Sequence, residues 1–496
     1  MSRRSIRWHI LIAIIVLIAL RIYFWGGPIR TKYRIVRAPE KLAGAAGQWV
    51  IERQGNNPQR WIARDRDRDG TWDEFATPEG TFTRPGVRSL PRRWLVVCVD
   101  GVPLTAMQSL WDRGHFREFF RPTATVSSFP ADTETALTEV LHAAPVPGYE
   151  HRYYDRATNR MRGGAWVTLS GANIPYIRAL NYDPPGWAKA LSYIMPRKTY
   201  RADVGRFRKR FLGSRASVFL AHVAASDALL HLKTVEEVEP LLIEFEDALR
   251  EIYLDTHGDL GVIVFSDHGN TQTRSHSAPL EPFLTQRGWR VRESIEEPRD
   301  IAIPSYGLVG FAAIYCRPES IEQLADELRR IEGADVIVSR HLDRKGATIR
   351  AAASATTAEL EWTPDGRRYR YIARDGDPLD LVAVFDELRA AGKLGADGSA
   401  SEGDLFAATS SASYPDSAAR IRVWATNHVR SPADIVVSFK PGYYHGARQF
   451  QRVVSFAGTH GGLEKSSSLG FAMATYPLAP TVRLRDLLPA NLLERF

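Results

Sequence analysis

The chain has 496 residues, of which 44% are apolar and 25% charged, and its formal net charge is +8. This composition excludes a disordered chain and a single small core, and it predicts two lobes or one large α/β domain with insertions. The positive charge favours anionic partners such as phosphate esters or lipid headgroups, whereas the scattered arginines follow no RNA-binding motif, so we expect no nucleic-acid binding.

An apolar run follows the basic N-terminus. Residues Trp8 to Trp25 would form a helix about 27 Å long, which nearly crosses the apolar core of a bilayer. No small-x-small cleavage site follows this run, which favours an uncleaved single-pass anchor at residues 1–25 over a cleaved signal peptide. Arginines flank both ends of the run, so the positive-inside rule leaves the orientation open.

Residues 26–90 are polar, basic and turn-rich, as in a juxtamembrane segment. They contain "DRDRDGTWDEF", Asp65 to Phe75, in which alternating aspartates resemble a calcium loop and Gly70 allows a sharp turn. The position that carries glutamate in an EF-hand loop is Ala76, and no clear helix pair flanks the motif. A solvated acidic turn is therefore the favoured interpretation, and a calcium loop is the alternative.

From residue 91 onward, apolar runs of strand length alternate with amphipathic helices. The runs "WLVVCVD", "SVFLAHVA" and "LGVIVFSDHG" are typical of a parallel sheet that is buried on both faces. The pattern predicts an α/β fold with a mostly parallel central sheet covered by helices on both faces. Cys98 and Cys316 each lie in such an apolar run, which predicts two buried free thiols.

The pattern predicts a main domain in two parts, with an insertion between them. The first part spans 91–295, an inserted α+β cap lobe spans 296–430 with a hairpin at Pro364-Asp365-Gly366, and the chain returns to the main domain at 431–496. The strand-like runs "ADIVVSFK" and "LGFAMAT" of the last part are both predicted to join the main sheet.

Acidic and histidine side chains follow several of the predicted strands, and ligand sites in such sheets gather at the carboxyl ends of strands. Each is weak evidence alone, because an aspartate after a strand is commonly a cap or a turn former. Together they form two sets of oxygen and nitrogen ligands suited to zinc or a similar divalent ion. They are Asp100, Asp227, His231, Asp267, His268 and His460.

The segments "VVCVDG", "FPADTETALTEVL", "SDALLH", "FSDHGN" and "GTHGG" occur in the order of the alkaline phosphatase superfamily. They most resemble its nucleotide pyrophosphatase/phosphodiesterase branch, over residues 92–275 and 430–496. This resemblance implies an alkaline phosphatase-like fold, two zinc ions and a covalent phospho-enzyme formed on a hydroxyl nucleophile. It also implies an extracytoplasmic, periplasmic location, since exported zinc hydrolases are common in the superfamily.

The resemblance also implies which residues bind each ion. It assigns Asp227, His231 and His460 to one zinc. It assigns Asp100, Asp267 and His268 to the other, which the nucleophile shares.

Two hydroxyls compete for the role of nucleophile. The phosphodiesterase branch has its threonine just before Phe-Pro, which corresponds to Ser128, whereas relatives with a longer loop have it at the position of Thr133. The spacing of apolar residues from Ala136 to Ala144 predicts a helix that starts near residue 134. Thr133 would then lie at the helix N-terminus, which stabilises an attached phosphoryl group, so we favour Thr133 over Ser128 and over a simple cap role.

The segment "HAAPVPGYEH" departs from the superfamily pattern. His142, Glu150 and His151 are therefore predicted to be surface residues or neighbours of the ligands instead of ligands. Neither cysteine has the C/S-x-P-x-R context of a sulfatase, which disfavours that branch.

The sequence therefore predicts a membrane-anchored two-metal hydrolase of phosphate esters that acts on small-molecule or lipid substrates. Phosphodiester or nucleotide pyrophosphate bonds are favoured, cleaved through a phospho-threonine at Thr133. The alternatives are a phosphomonoesterase, a phosphonate hydrolase, or a phosphotransferase that moves a headgroup onto an envelope lipid or glycan. A tethered binding protein with structural metals is disfavoured by the complete ligand set.

Overall fold

The computed structural model describes residues 24, 32–37, 47–55, 57–83, 91–171, 174–257, 259–426, 428–447 and 456–494. Apart from Phe24, the predicted anchor at residues 1–25 lies outside these ranges, so the anchor stays a prediction. Within the described ranges, no helix combines the length and the apolar character that a bilayer span requires.

Five antiparallel strands near the N-terminus form a sheet in chain order. They are β1 (Lys32–Arg37), β2 (Gln48–Gln54), β3 (Gln59–Arg64), β4 (Glu74–Thr77) and β5 (Gly80–Thr83). The alternation of β3 buries Trp61 and Ala63 and leaves its arginines outside. The prediction of a polar juxtamembrane segment at 26–90 missed this sheet, because short strands with charged outer faces give little apolar signal.

The described part of residues 91–301 contains nine strands and eight α-helices. The strands are β6 (Arg93–Val99), β7 (Thr123–Val126), β8 (Arg152–Asp155), β9 (Arg160–Gly163), β10 (Val218–Val223), β11 (Leu260–Phe265), β12 (His276–Ser277), β13 (Arg290–Val291) and β14 (Asp300–Ile301). The helices are α1 (Leu104–Asp112), α2 (Thr133–Val140), α3 (Ala165–Ser170), α4 (Gly186–Ser192), α5 (Pro196–Leu212), α6 (Ala225–Leu232), α7 (Val235–Asp255) and α8 (Leu280–Gln286).

The remaining elements lie in residues 302–494. The strands are β15 (Leu308–Val309), β16 (Phe311–Ile314), β17 (Ala334–Arg340), β18 (Gly346–Ala351), β19 (Thr357–Trp362), β20 (Arg368–Ala373), β21 (Ala400–Ser401), β22 (Ile435–Phe439), β23 (Tyr443–Gly446), β24 (Leu469–Ala474) and β25 (Thr481–Arg483). The helices are α9 (Ile321–Leu328), α10 (Val382–Ala390), α11 (Glu402–Thr409), α12 (Ser417–Thr426), α13 (Lys465–Ser468) and α14 (Ala490–Leu493). Short 3₁₀ helices occupy Pro175–Ala179, Pro318–Ser320 and Leu484–Asp486.

The central sheet has the strand order β10-β6-β11-β24-β7-β25. The pairings make β24 antiparallel to both neighbours, while the other five strands run in one direction. Alternate side chains of β6 enter two different cores: Val96 and Cys98 face α2 and the second lobe, and Val97 faces α1, α5 and α7. The predicted α/β fold with a mostly parallel, doubly covered sheet is confirmed, and so are the two buried free cysteines.

A second sheet of seven strands forms the inserted lobe, in the order β16-β22-β17-β18-β19-β20-β21. The predicted hairpin joins β19 to β20, with Gly366 at φ +68°. The prediction that "ADIVVSFK" joins the main sheet is wrong. This run forms β22, which pairs with β16 and β17 in the sheet of the inserted lobe. The lobe therefore extends past residue 430, since a fully apolar strand carries no signal that distinguishes one buried sheet from another.

Arg250 is buried, and it holds α7 against the segment that follows α1. Its guanidinium pairs with Glu118 and Glu246, and Glu246 in turn accepts a hydrogen bond from Phe116 N at 2.6 Å. Removing the cation would leave two carboxylates buried without compensation.

We predict that Arg250→Met lowers the free energy of unfolding by about 3–5 kcal/mol. The measurement is the first transition in a denaturant or thermal unfolding curve. Arg389→Met is the matched control, because Arg389 pairs with Asp386 at the surface and its loss should cost no more than about 1 kcal/mol. Equal effects of the two substitutions would contradict the assigned role of Arg250.

Candidate metal centre

Three adjacent parallel strands, β10, β6 and β11, end at the same edge of the central sheet. Asp100 follows β6, and Asp267 and His268 follow β11. Helix α6 begins directly after β10 and carries Asp227 and His231 four residues apart, on one helical face. The edge thus gathers the predicted residues because each lies at the carboxyl end of its strand.

The sixth predicted residue, His460, joins this group from the loop that precedes β24. Its Nε2 lies 3.5 Å from Asp227 Oδ1, and its ring stacks on that of His268 with centroids 3.7 Å apart. All six predicted residues therefore lie in one cluster, drawn from four separate parts of the chain.

Each of the three histidines has its Nδ1 at a backbone carbonyl. His231 contacts Gly458 O at 3.0 Å, His268 contacts Gly269 O at 2.9 Å and His460 contacts Ala131 O at 2.9 Å. Because a carbonyl only accepts hydrogen bonds, Nδ1 must carry the proton, and the lone pair of Nε2 faces the cluster. This is the arrangement that metal-ligating histidines adopt.

The ligand atoms fall into two overlapping groups, each with its atoms within 4.8 Å of one another. One contains Asp227, His231 and His460, and the other contains Asp100, Asp227 and His268. Asp227 belongs to both groups. The resemblance, by contrast, implies Asp267 as the third ligand of the second group. Asp267 lies beside that group, with its Oδ2 3.5 Å from His268 Nε2.

The distances between ligand atoms suit a tetrahedral ion. Asp227 Oδ2 is 3.3 Å from His231 Nε2, and Asp100 Oδ1 is 3.4 Å from His268 Nε2. Ligands at about 2.0 Å from a tetrahedral zinc ion lie about 3.3 Å from one another. The mixed nitrogen and oxygen set also fits zinc or a similar divalent ion.

The carboxylates of the cluster are only partly compensated by their neighbours: His222 contacts Asp100 at 2.9 Å, and His231 contacts Asp227 at 3.3 Å. Asp227 Oδ1 and Asp267 Oδ2 are buried without a hydrogen-bond partner in the described part of the chain. Burial and the charge of Asp267 raise the pKa of Asp100 to about 7. A divalent cation would offset these charges, so the residues present fit the metal that the sequence predicts.

Gly101 makes room for the cluster. Its φ is +70°, and a Cβ at this position would lie 2.9 Å from Asp227 Oδ1 and 3.4 Å from His268 Cε1. Its amide also donates to Asp267 Oδ1 at 3.1 Å. Any larger residue here would displace a ligand as well as strain the backbone.

Thr133 is the first residue of α2, close to the predicted helix start, with Asp132 as the N-cap. Its Oγ1 lies 3.4 Å from Asp100 Oδ1 and 3.5 Å from His268 Nε2. The competing hydroxyl, that of Ser128, is 1% exposed and is engaged by Pro130 O and Thr135 Oγ1 at 2.8 and 3.0 Å. Only Thr133, of these two hydroxyls, lines the cavity in front of the cluster.

This cavity has a volume of about 250 Å³. Glu134, Glu150 and His151 line it but belong to neither ligand group, and His151 pairs with Glu134 at 2.7 Å. His142 is exposed and contacts Arg485 O instead.

Two further residues support the cluster, and the sequence prediction missed both. His222 Nε2 lies 2.9 Å from Asp100 Oδ2, and its Nδ1 lies 2.8 Å from Asp183 Oδ1. A histidine inside the apolar strand "SVFLAHVA" was the available signal, since a buried polar side chain needs partners. Arg420 of α12 is the second: it donates to Ser128 O at 2.9 Å and to Leu463 O at 2.8 Å.

The sequence matches no protein-family profile and no curated protein. Among solved structures, phosphonoacetate hydrolase from Sinorhizobium meliloti 1021 is similar at 13% identity and a TM-score of 0.43, over 85% of this chain and 98% of that one. Murine ectonucleotide pyrophosphatase/phosphodiesterase 5 is similar at 13% identity and a TM-score of 0.40, over 81% and 95%. Its human counterpart gives 12% and 0.41, with the same coverage. Such distant likenesses leave the case for function to the geometry of the site.

We predict that Zn²⁺ raises the melting temperature of the metal-free full-length protein. Zinc at about 100 times its Kd would stabilise the folded state by about 2.7 kcal/mol. Asp227→Asn should abolish most of this shift, because Asp227 belongs to both ligand groups. The surface substitution Asp112→Asn is the control, and a zinc-induced shift of equal size in Asp227→Asn would rule out the assigned ligands.

Proposed function

We propose that this chain is a two-metal hydrolase of phosphate esters in which Thr133 is the nucleophile. The observation that supports this proposal is the position of the Thr133 hydroxyl, at a helix N-terminus and within 3.5 Å of two residues of the ligand cluster. One ion would be held by Asp227, His231 and His460, and the other by Asp100, Asp267 and His268, with Asp227 next to both. Two divalent ions, zinc in this proposal, would lower the pKa of the hydroxyl and neutralise charge on the phosphoryl group.

The residues of the chain supply the remaining requirements. The N-terminus of α2 presents the positive end of its dipole to an anion next to Thr133. His222, held by Asp183, orients Asp100 at 2.9 Å. Arg420 fixes the segment that leads into α2 through Ser128 O, so the nucleophile is held from both sides. The phosphoryl group would be transferred to Thr133 Oγ1 as the leaving group departs, and water would then release it as phosphate or a phosphate ester.

The carboxyl groups in the wall of the cavity favour phosphodiesters among the phosphate esters. Glu134 is ionised at neutral pH: although its burial acts in the opposite direction, the adjacent His151 lowers its pKa to about 2. Glu150 adds a second carboxyl to the same wall. A carboxylate repels a dianionic monoester or a pyrophosphate more strongly than a diester, which carries one negative charge. Leu308 and Val309 provide apolar surface for a leaving group.

The membrane anchor at residues 1–25 and a periplasmic catalytic domain remain part of this proposal. An anchored active site would meet lipid substrates as well as soluble ones, so lipid phosphodiesters belong in the substrate panel.

Thr133→Ala should lower kcat for a bis-aryl phosphodiester by at least about a thousandfold, because it removes the attacking oxygen. Ser128→Ala is the matched control and should keep activity within about tenfold, since the Ser128 hydroxyl is engaged by Pro130 and Thr135. Steady-state kinetics with zinc and with chelator would measure both. Full activity in Thr133→Ala would remove this residue from the mechanism, and a large loss confined to Ser128→Ala would transfer the role.

Glu150 should make substrate binding sensitive to pH. Burial raises the pKa of Glu150 to about 7, although Gly307 N–H donates to it. The side chain is therefore neutral below about pH 7 and becomes charged above it, where it repels an anionic substrate. We expect KM for a diester to rise about fivefold between pH 6 and 8, which corresponds to roughly 1 kcal/mol.

In Glu150→Gln this part of the pH dependence should disappear, whereas the exposed control Glu319→Gln should keep it. An unchanged KM profile in Glu150→Gln would exclude Glu150 as its origin. Because every other titrating group is the same in the wild type and in Glu150→Gln, the difference between their KM profiles reports the contribution of Glu150 alone.

A further inference from the structure

The acidic turn between β3 and β4, residues Asp65–Asp73, is a second cluster of carboxylates that the proposed reaction does not use. One carboxylate oxygen from each of Asp65, Asp67 and Asp73 lies within 4.8 Å of the others. The three side chains occupy the first, third and ninth positions of the motif D-x-D-x-D-G-x-x-D. These are positions from which a calcium loop supplies oxygens.

Asp65 provides evidence beyond the clustering of charge. Its residue is 8% exposed, and its Oδ1 is buried without a hydrogen-bond partner among the described residues. The other oxygen, Oδ2, accepts from Gly70 N at 3.0 Å. A buried carboxylate oxygen that has no donor, on a side chain grouped with two further carboxylates, is unfavourable unless a cation lies there. The sequence favoured a solvated acidic turn, but Asp65 is buried and does not fit that interpretation.

Hydrogen bonds from backbone amides to aspartate oxygens hold the turn, including one from Asp69 N to Asp67 Oδ1 at 3.2 Å. Arg66 N donates to Asp73 Oδ2 at 2.8 Å, and Thr71 N donates to Asp69 Oδ1 at 2.7 Å. Gly70 has φ +90°, and a Cβ there would lie 2.9 Å from the Trp111 ring. Only glycine fits this sharp turn against its neighbour.

The guanidinium groups of Arg64, Arg66 and Arg117 make their hydrogen bonds to groups other than the three carboxylates, and the charge of Arg117 acts on Asp65 at longer range. Arg64 and Arg66 both pair with Glu74. Arg117 stacks on Trp111 at 3.8 Å and donates to Gly70 O at 2.9 Å.

We propose that Asp65–Asp73 binds a hard divalent cation, Ca²⁺, through Asp65, Asp67 and Asp73. The contributing groups are all oxygens, which suits calcium and not zinc, and the exposed side of the turn admits water to complete six to eight ligands. Ala76 replaces the bidentate glutamate of an EF-hand, so the affinity corresponds to that of weak extracellular modules, with Kd about 10⁻⁴–10⁻³ M.

The bound ion would stabilise the junction between the N-terminal sheet and the main domain. Trp72 N donates to Arg117 O at 2.8 Å, and Gly70 O accepts from the same residue. Trp72 is 1% exposed and packs in the core that α1 and α7 share. Ordering the turn therefore orders the contact between the N-terminal sheet and the main domain, and the turn shares no residue with the ligand groups of the proposed reaction.

The test is calcium binding by the full-length protein in detergent, with zinc held at saturation so that the first cluster is filled. We expect equilibrium dialysis to find one Ca²⁺ per chain with Kd in the stated range. Asp67→Asn should weaken this binding by at least about tenfold. Asp67 is exposed, so its substitution leaves the fold intact, and Asp65→Asn provides a second variant at the buried ligand.

Glu79→Gln is the matched control, because Glu79 is an exposed acid on the same sheet and its loss should leave the affinity unchanged. Thr133→Ala should also bind calcium normally, which separates this site from the proposed reaction. Equal calcium affinity in the wild type and in Asp67→Asn, or no binding by the wild type up to about 10 mM, would overturn the proposal.

Discussion

The crowding of three carboxylates at one edge of the central sheet is the constraint on which the rest of the structure depends. Asp100 and Asp267 are buried at the ends of two neighbouring strands, and the half-buried Asp227 lies on helix α6, which begins after a third strand, so the three cannot separate to relieve their repulsion. Charge in such a place requires a counter-charge. The three histidines do not supply it while their protons stay on Nδ1, facing backbone carbonyls. A divalent cation satisfies both requirements at once, because it neutralises the carboxylates and accepts the free lone pairs of Nε2.

The same constraint explains why the inserted lobe is part of the site and more than a cover for it. Arg420 lies on α12, at the end of the lobe, yet its guanidinium donates to Ser128 O and Leu463 O. Those two carbonyls belong to the segments that deliver Thr133 and His460. Burial lowers the pKa of Arg420 to about 10, so the guanidinium is still charged at neutral pH. The relative position of nucleophile and ligand therefore depends on a residue far from both in sequence.

The sequence allowed prediction of whatever depends on local pattern. Asp100 and Asp267 follow apolar runs whose length and composition are typical of buried strands. The spacing of apolar residues after Thr133 predicted where α2 starts. Pairing between distant strands was beyond such patterns. Strand β22 is equally apolar whichever sheet it joins, and only the assembled lobe determines that it pairs with β16 and β17. Likewise, Asp227 is grouped with Asp100 and His268 as well as with His231 and His460, which depends on the direction of its side chain and not only on its place in the chain.

The two carboxylate clusters differ in a way that separates their roles. The cluster at the sheet edge mixes oxygen with imidazole nitrogen and opens onto a cavity, which suits a borderline ion with a position left for a reacting group. The turn at Asp65–Asp73 offers oxygen alone, which suits a hard ion. Ligand chemistry alone would therefore direct different metals to the two places. Because hard and borderline ions seldom compete for the same donors, both clusters could be filled at once without one ion displacing the other.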